Sequence, residues 1–320
     1  MSSTAGVAPV AVTDPDPGSG PGSGPGVDTG ADPGSDGSGR RRGRVGYLLL
    51  LPGLLWLIVF FVIPFYSLLA TSLYDPAGSD FRGYDMTYHW ANYWDAISEF
   101  KVPLLRSLGY GAIATLICLV LGYVLAYTIA FKAGRWKNLM LVLVIAPFFT
   151  SFLLRTLSWK LILADDGFVV STLQFLQLLG DDGRLLATPV AVVAGLTYNF
   201  LPFMVLPLFA SLDKIDPRLI EASSDLYANP VVGFFKVTWP LSLPGVVSGT
   251  LLTFIPAVGD YINQVLLGSP NQRMIGSVIQ SQFVDANNYP SAAALSMVLM
   301  VLIVVMVLVY VRRAGTEELL

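Results

Sequence analysis

Residues 216–240 read DPRLIEASSDLYANPVVGFFKVTWP. Twice in this stretch a capping side chain stands directly before a proline, at Asp216-Pro217 and at Asn229-Pro230. Such a pair starts a helix. The Asp or Asn oxygen accepts from a free N–H, and Pro fills a first position whose missing N–H costs nothing. The spacing predicts a helix over 217–228 with Leu219, Ile220, Ser223, Leu226 and Tyr227 near one another at i, i+3 and i+4. A second short helix follows, with Val232, Phe234, Phe235 and Trp239 available for packing. The stretch reads as a structured helix–turn–helix. Its flanks, 189–212 and 243–267, are each apolar over more than the about 20 residues a membrane span needs.

Working outward, four further windows qualify or nearly qualify as spans: 47–69, 108–131, 139–163 and 292–311. The expected fold is an all-α integral membrane protein with six transmembrane helices and a cytoplasmic helix–turn–helix. Composition agrees. The 320 residues are 54% hydrophobic and 13% charged, about half the charged fraction of a soluble domain. Pro52, Pro64, Pro147, Pro202, Pro207, Pro256 and Gly259 fall inside the windows, and the fourth and fifth spans are expected to be bent or broken. Residues 1–39 hold 10 of the 30 Gly and 6 of the 21 Pro with no Lys or Arg. That composition cannot bury enough apolar surface to offset ordering, so residues 1–44 are expected to be a disordered tail ending in a basic cluster, Arg40 to Arg44.

Lys and Arg fix the orientation. With the N-terminus inside, the inner segments hold 12 of the 19 basic residues, among them Lys132, Arg135, Lys137, Lys214, Arg218, Lys236, Arg312 and Arg313. The outer segments hold five, and Arg155 and Lys160 fall near the outer end of span three. The excess lies inside, as expected for cytoplasmic loops. Both termini are therefore expected in the cytoplasm.

Several function classes are excluded. One Cys and one His, Cys118 and His89, cannot build a Cys/His zinc site within the chain. A GxxxxGK[ST] loop is absent, so any nucleotide-driven work needs another chain to hold the nucleotide. A net charge of −3 gives no whole-chain signal for nucleic acid.

The inner stretch resembles the "EAA" loop of permease subunits of binding-protein-dependent ABC importers. That pattern is Glu-Ala-Ala, three residues, Gly, nine residues, Ile, one residue, Leu-Pro. Glu221, Ala222 and Pro240 match it, and Ser223 and Val237 replace Ala and Ile. Tyr227 stands where Gly is usual and Trp239 where Leu is usual. Asn229-Pro230 can supply the turn in place of that Gly. The resemblance implies that the loop is a coupling helix docking on an ATPase, with Glu221, Ala222 and Asp225 at the interface.

Four further stretches are similar to the spermidine/putrescine permease branch. They are Leu50-Leu51-Pro52-Gly53 leading to Pro64; Ala146 to Thr156, with Trp159 beyond; Phe254 to Tyr261, closing at Leu266-Leu267-Gly268; and Met274 to Ser296 in pieces. Ile262-Asn263-Gln264-Val265 departs from the branch pattern. Polyamines are polycations with alkyl spacers, and a pathway for them suits carboxylates and aromatic faces. Asp260, Tyr261, Trp159, Phe148 and Tyr198 are the candidates. Asp260 has two readings: a pathway carboxylate, or a group satisfying backbone freed by Pro256 and Gly259. Arg155 and Lys160 are expected to snorkel to the outer interface. The outer loop 70–107 is rich in aromatic and acidic residues. It reads either as a receiver for a binding protein or as an amphipathic interfacial segment.

The expected organisation is a tail over 1–44, the first span and outer loop over 45–107, the importer transmembrane domain over 108–312 with the coupling loop at 213–240, and a cytoplasmic end over 313–320. The resemblance implies a non-enzymatic permease of a prokaryotic cytoplasmic membrane that moves polyamines by alternating access. It also implies a homologous second permease, an ATPase dimer holding ATP and Mg, an extracytoplasmic solute-binding protein, surrounding lipid, no nucleic acid, and no cofactor in this chain. The rival readings are the same role for ferric ion, an anion or a phosphonate, or an autonomous channel or transporter.

Overall fold

The computed structural model describes residues 50–78, 83–177, 179–180, 183–227 and 229–314. The expected tail at 1–44 and the end at 315–320 lie outside them. The chain forms two units, residues 1–57 and 58–320. Of the first, residues 50–57 are described, and they are helical and exposed. The second opens on a π-helical turn, Ile58–Val62, and runs into the helix Ile63–Thr71. No strand occurs among the described residues, where an isolated antiparallel bridge pairs Tyr74 with Met86.

Among the described residues, five helices are long and apolar enough to cross a membrane: α1 (Leu50–Thr71), α2 (Ala91–Lys132), α6 (Pro189–Leu212), α8 (Pro230–Gly259) and α11 (Tyr289–Ala314). Two further pieces, α3 (Gly134–Phe149) and α4 (Phe152–Ile162), bent by 94°, are long and apolar enough to cross when taken together. The short helices are α5 (Phe168–Phe175), α7 (Pro217–Tyr227), α9 (Ile262–Leu267) and α10 (Ile275–Gln280).

Backbone chemistry explains the breaks. Pro147 withdraws an N–H donor near the end of α3, and Thr150 and Ser151 are extended before α4 begins. The fifth span breaks after Gly259, where Asp260 is extended (φ −66°, ψ 131°), and it resumes as α9. The fourth span, expected to be bent or broken, does not break. Pro202 and Pro207 lie inside α6, yet it runs unbroken over 24 residues. Buried neighbours from α2 and α8 hold it, as membrane helices permit.

The outer loop is also corrected. Residues 91–107, expected as part of a connection, begin α2, which reaches 42 residues. At 1.5 Å per residue that is about 63 Å, twice the apolar thickness of a bilayer. The helix kinks at Phe100 (φ −107°, ψ 20°), three residues before Pro103, whose ring crowds the preceding turn.

The core is the contact of α2, α6 and α8, and small residues allow it. A Cβ at Gly245 would stand 2.7 Å from the Pro207 carbonyl oxygen, and one at Gly249 would stand 2.8 Å from Met204 Sδ. Close backbone approach of this kind is how membrane helices associate where lipid offers no hydrophobic drive.

Candidate functional site

The helix–turn–helix forms where the sequence places it. Asp216 Oδ1 accepts from Arg218 N at 2.9 Å and α7 begins at Pro217. Asn229 Oδ1 accepts from Val231 N at 2.9 Å and the second helix begins at Pro230. That second helix does not stop. It continues through a π-helical turn, Phe234–Thr238, into the fifth span, so α8 joins the hairpin to Gly259 as one rod of 30 residues.

Leu219, Ile220, Ser223 and Leu226 lie along one side of α7 but differ in burial. Ile220 packs towards the core and Ser223 is buried, its Oγ donating to Ile220 O at 2.8 Å and pressed on Gly233. Leu219, Ala222 and Leu226 are exposed in a row, flanked by exposed Glu221 and Asp225. Ser223 therefore belongs to the packing of the hairpin, not to its outer surface. Val237 is half-buried and Pro240 exposed, while the Tyr227 side chain lies outside the described residues.

Behind the hairpin sits an aromatic knot. The Tyr123 ring of α2 meets Phe234 at 5.5 Å and Trp239 at 5.3 Å. Trp239, which replaces the usual Leu, is thus part of the joint between the hairpin and α2. An ion pair, Lys137 Nζ to Asp213 Oδ1, ties the start of α3 to the residue after α6.

The five candidate pathway residues are not gathered into one site. Trp159 and Tyr198 pair at 5.4 Å and line a groove with Tyr110, Ile113 and Val190. Phe148 lies elsewhere, edge-on to Phe203 at 5.0 Å, in a cavity of about 600 Å³ at the break of span three. Tyr261 is exposed. Asp260 is buried, and its Oδ1 accepts from Asn263 N at 2.8 Å. Asp260 thus meets one backbone N–H at the start of α9, beyond the break.

Sequence reasoning missed a buried polar triad from three spans. Asn199 Nδ2 on α6 donates to Asn263 Oδ1 on α9 at 3.0 Å and to Thr156 Oγ1 on α4 at 3.2 Å. The signal was present as lone amides in apolar runs. Arg155 is corrected as well. It does not snorkel but is buried at 8% exposure, its guanidinium 5.3 Å from the Phe148 ring centre and 5.5 Å from that of Phe152. Lys160 is exposed.

A bundle of long apolar helices with a break after Phe149 and another after Gly259, beside buried polar side chains, defines a multi-pass membrane protein. The chain belongs to the family described as the binding-protein-dependent transport system inner membrane component, which matches residues 118–314. It is 37% identical over 258 residues to the spermidine/putrescine transport system permease protein PotB of Haemophilus influenzae, covering 80% of this chain and 90% of that one. It is 37% identical over 261 residues to the PotB of Escherichia coli, covering 81% and 94%. A bacterial alginate ABC transporter in complex with alginate pentasaccharide-bound periplasmic protein contains a chain of the same fold, at a TM-score of 0.67 and 19% identity, covering 85% of this chain and 96% of that one. The chain is thus an inner-membrane permease subunit of an ABC importer.

Proposed function

We propose that this permease subunit imports polyamines such as spermidine and putrescine, driven by ATP that separate ATPase subunits bind with Mg and hydrolyse. A homologous second permease completes the pathway, and an extracytoplasmic binding protein delivers the cargo. Both termini and the hairpin face the cytoplasm, on the distribution of Lys and Arg. The cargo assignment rests on the 37% identity to the PotB proteins along most of both chains.

The observation that carries the coupling role is the continuity of α8. The exposed row Leu219, Ala222 and Leu226, with Glu221 and Asp225 beside it, presents an apolar strip edged by carboxylates. An ATPase groove that grips this strip moves the hairpin as a unit, because Ser223 and Gly233 lock α7 on α8. The rod α8 carries that displacement to the break at Asp260, and the knot at Tyr123 carries it to α2. Alternating access needs such rigid transmission to a site inside the bundle. There Asp260 is the carboxylate that faces the cationic cargo. Trp159, Tyr198 and Tyr261 offer aromatic surface along the way, whereas the Phe148 face is taken by the Arg155 guanidinium.

Uptake of labelled spermidine by proteoliposomes holding the full transporter and its binding protein tests the reading. ATP-dependent accumulation of spermidine or putrescine is expected. Accumulation of ferric ion, phosphonate or another anion in their place overturns the cargo, and uptake by this chain without ATPase overturns the coupling.

A further inference from the structure

The cavity at the break of span three is lined by Phe148, Thr150, Ser151, Phe152, Arg155 and Asn199 among others. Arg155 is more than nine-tenths buried, its Nε and Nη1 have no hydrogen-bond partner, and no carboxylate of the described residues pairs with it. Two phenylalanine faces attract the guanidinium but cannot accept its N–H groups in the plane. A buried cation left in this way is costly unless something outside the chain completes it. The N-terminus of α4 opens on the same cavity. Its cap, Ser151, makes no side-chain hydrogen bond to the first turn, whose leading N–H groups have no partner within the helix. The N–H groups at the head of an 11-residue helix and a guanidinium one turn in both favour negative charge.

We propose that this cavity is a seat for one carboxylate, held between Arg155 and the first turn of α4. The cavity, at about 600 Å³, has room for the anion and several waters, at about 30 Å³ each. One such water can donate to Asn199 Oδ1, which is buried without a partner on the same wall. Polyamine cargo cannot fill this seat, since a cation would be repelled by Arg155. The site stands on the geometry of this chain and not on the cargo.

The test uses acetate as the probe and the full chain in lipid nanodiscs. The unfolding midpoint is read against added sodium acetate, with sodium chloride at equal ionic strength as the control. Acetate is expected to raise the midpoint of the wild-type chain by about 2–4 °C beyond chloride. Arg155→Met is expected to lose the shift and Arg155→Lys to retain part of it. Ser151→Leu, which narrows the cavity with Arg155 in place, is expected to lose it too and serves if the Met variant does not fold. An equal acetate shift in Arg155→Met or Ser151→Leu overturns the proposal, as does a wild-type chain that responds to acetate no more than to chloride. The assembled transporter then separates two sources of the carboxylate. Loss of the acetate shift on assembly assigns the seat to an acidic side chain of a neighbouring subunit, and a retained shift assigns it to a free carboxylate.

Discussion

Tyr123 Oη lies 2.8 Å from Ser242 Oγ, across the contact of α2 with α8. The Ser242 hydroxyl gives its own hydrogen to Trp239 O at 2.9 Å, so Tyr123 is the donor. The bond sits directly behind the hairpin, on the ring that Phe234 and Trp239 lean against. Tyr123→Phe keeps the ring and removes the bond. A net loss of about 1 kcal/mol is expected, seen as a fall of about 2–4 °C in the unfolding midpoint. Tyr123→Ala removes the knot itself, and ATP hydrolysis should then lose its response to loaded binding protein. Midpoint and stimulated ATPase activity, measured on the same preparations, check both; a Phe variant as stable as wild type discards the bond.

Glu221→Arg reverses the charge beside the exposed strip without touching the packed face of α7. The permease should still reach the membrane, while hydrolysis proceeds without uptake. Leu226→Asp places a charge in the strip itself and should weaken ATPase association, read as loss of co-purification. Normal coupled uptake by Glu221→Arg would remove the hairpin from the interface.

The ion pair of Lys137 with Asp213 looks important by position, but its side chains are 33% and 39% exposed. Pairs of that exposure contribute about 0–1 kcal/mol. Lys137→Met is therefore expected to shift the midpoint by under about 2 °C, and less at high salt. A larger, salt-resistant loss would show that the cation contact of Lys137 with the Phe209 ring, at 5.2 Å, matters more than the charge pair.

The triad of Thr156, Asn199 and Asn263 predicts non-additivity. Asn199→Ala strips partners from both neighbours, whereas Asn263→Ala also deletes the oxygen that Asn199 serves. Hydrogen bonds between membrane helices measure about 0.6 kcal/mol on average. The double variant should then be more stable than the sum of the two losses by about that amount. Strict additivity in a double-mutant cycle on the midpoint would break the triad into independent contacts.

What could be read from the sequence was local chemistry. Asp216-Pro217 and Asn229-Pro230 start their helices because caps act within three residues. The spans were legible from length and apolarity alone. What failed depended on neighbours distant in sequence. Pro202 and Pro207 reside in an unbroken α6 because α2 and α8 pack on it. Arg155 was read as an interface residue because hydropathy sends charges to water, but the 94° bend after Phe149 turns α4 and carries it inward. Residues 91–107 carry aromatic and acidic side chains that resemble a loop, and their helix is fixed by continuity with α2. The inward turn of Ser223 follows from the approach of Gly233, which spacing within α7 cannot reveal.

Asp260 has two roles that one pair of substitutions separates. Its Oδ1 holds the N–H of Asn263 where span five breaks, and its charge is proposed to meet the cargo. An Asn side chain presents an oxygen at the same place, so Asp260→Asn keeps the cap and discards the charge. Asp260→Ala discards both. Loss of a cap costs about 1 kcal/mol, so the Ala variant should unfold about 2–4 °C below wild type and the Asn variant within about 1 °C of it. Uptake distinguishes the charge. A cation that loses its carboxylate at a buried site should bind more weakly, so both variants should show a raised KM for spermidine while the Asn variant alone stays as stable as wild type. Unchanged spermidine uptake by Asp260→Asn would leave the residue a cap for α9 and place the cargo's anionic contact on another side chain.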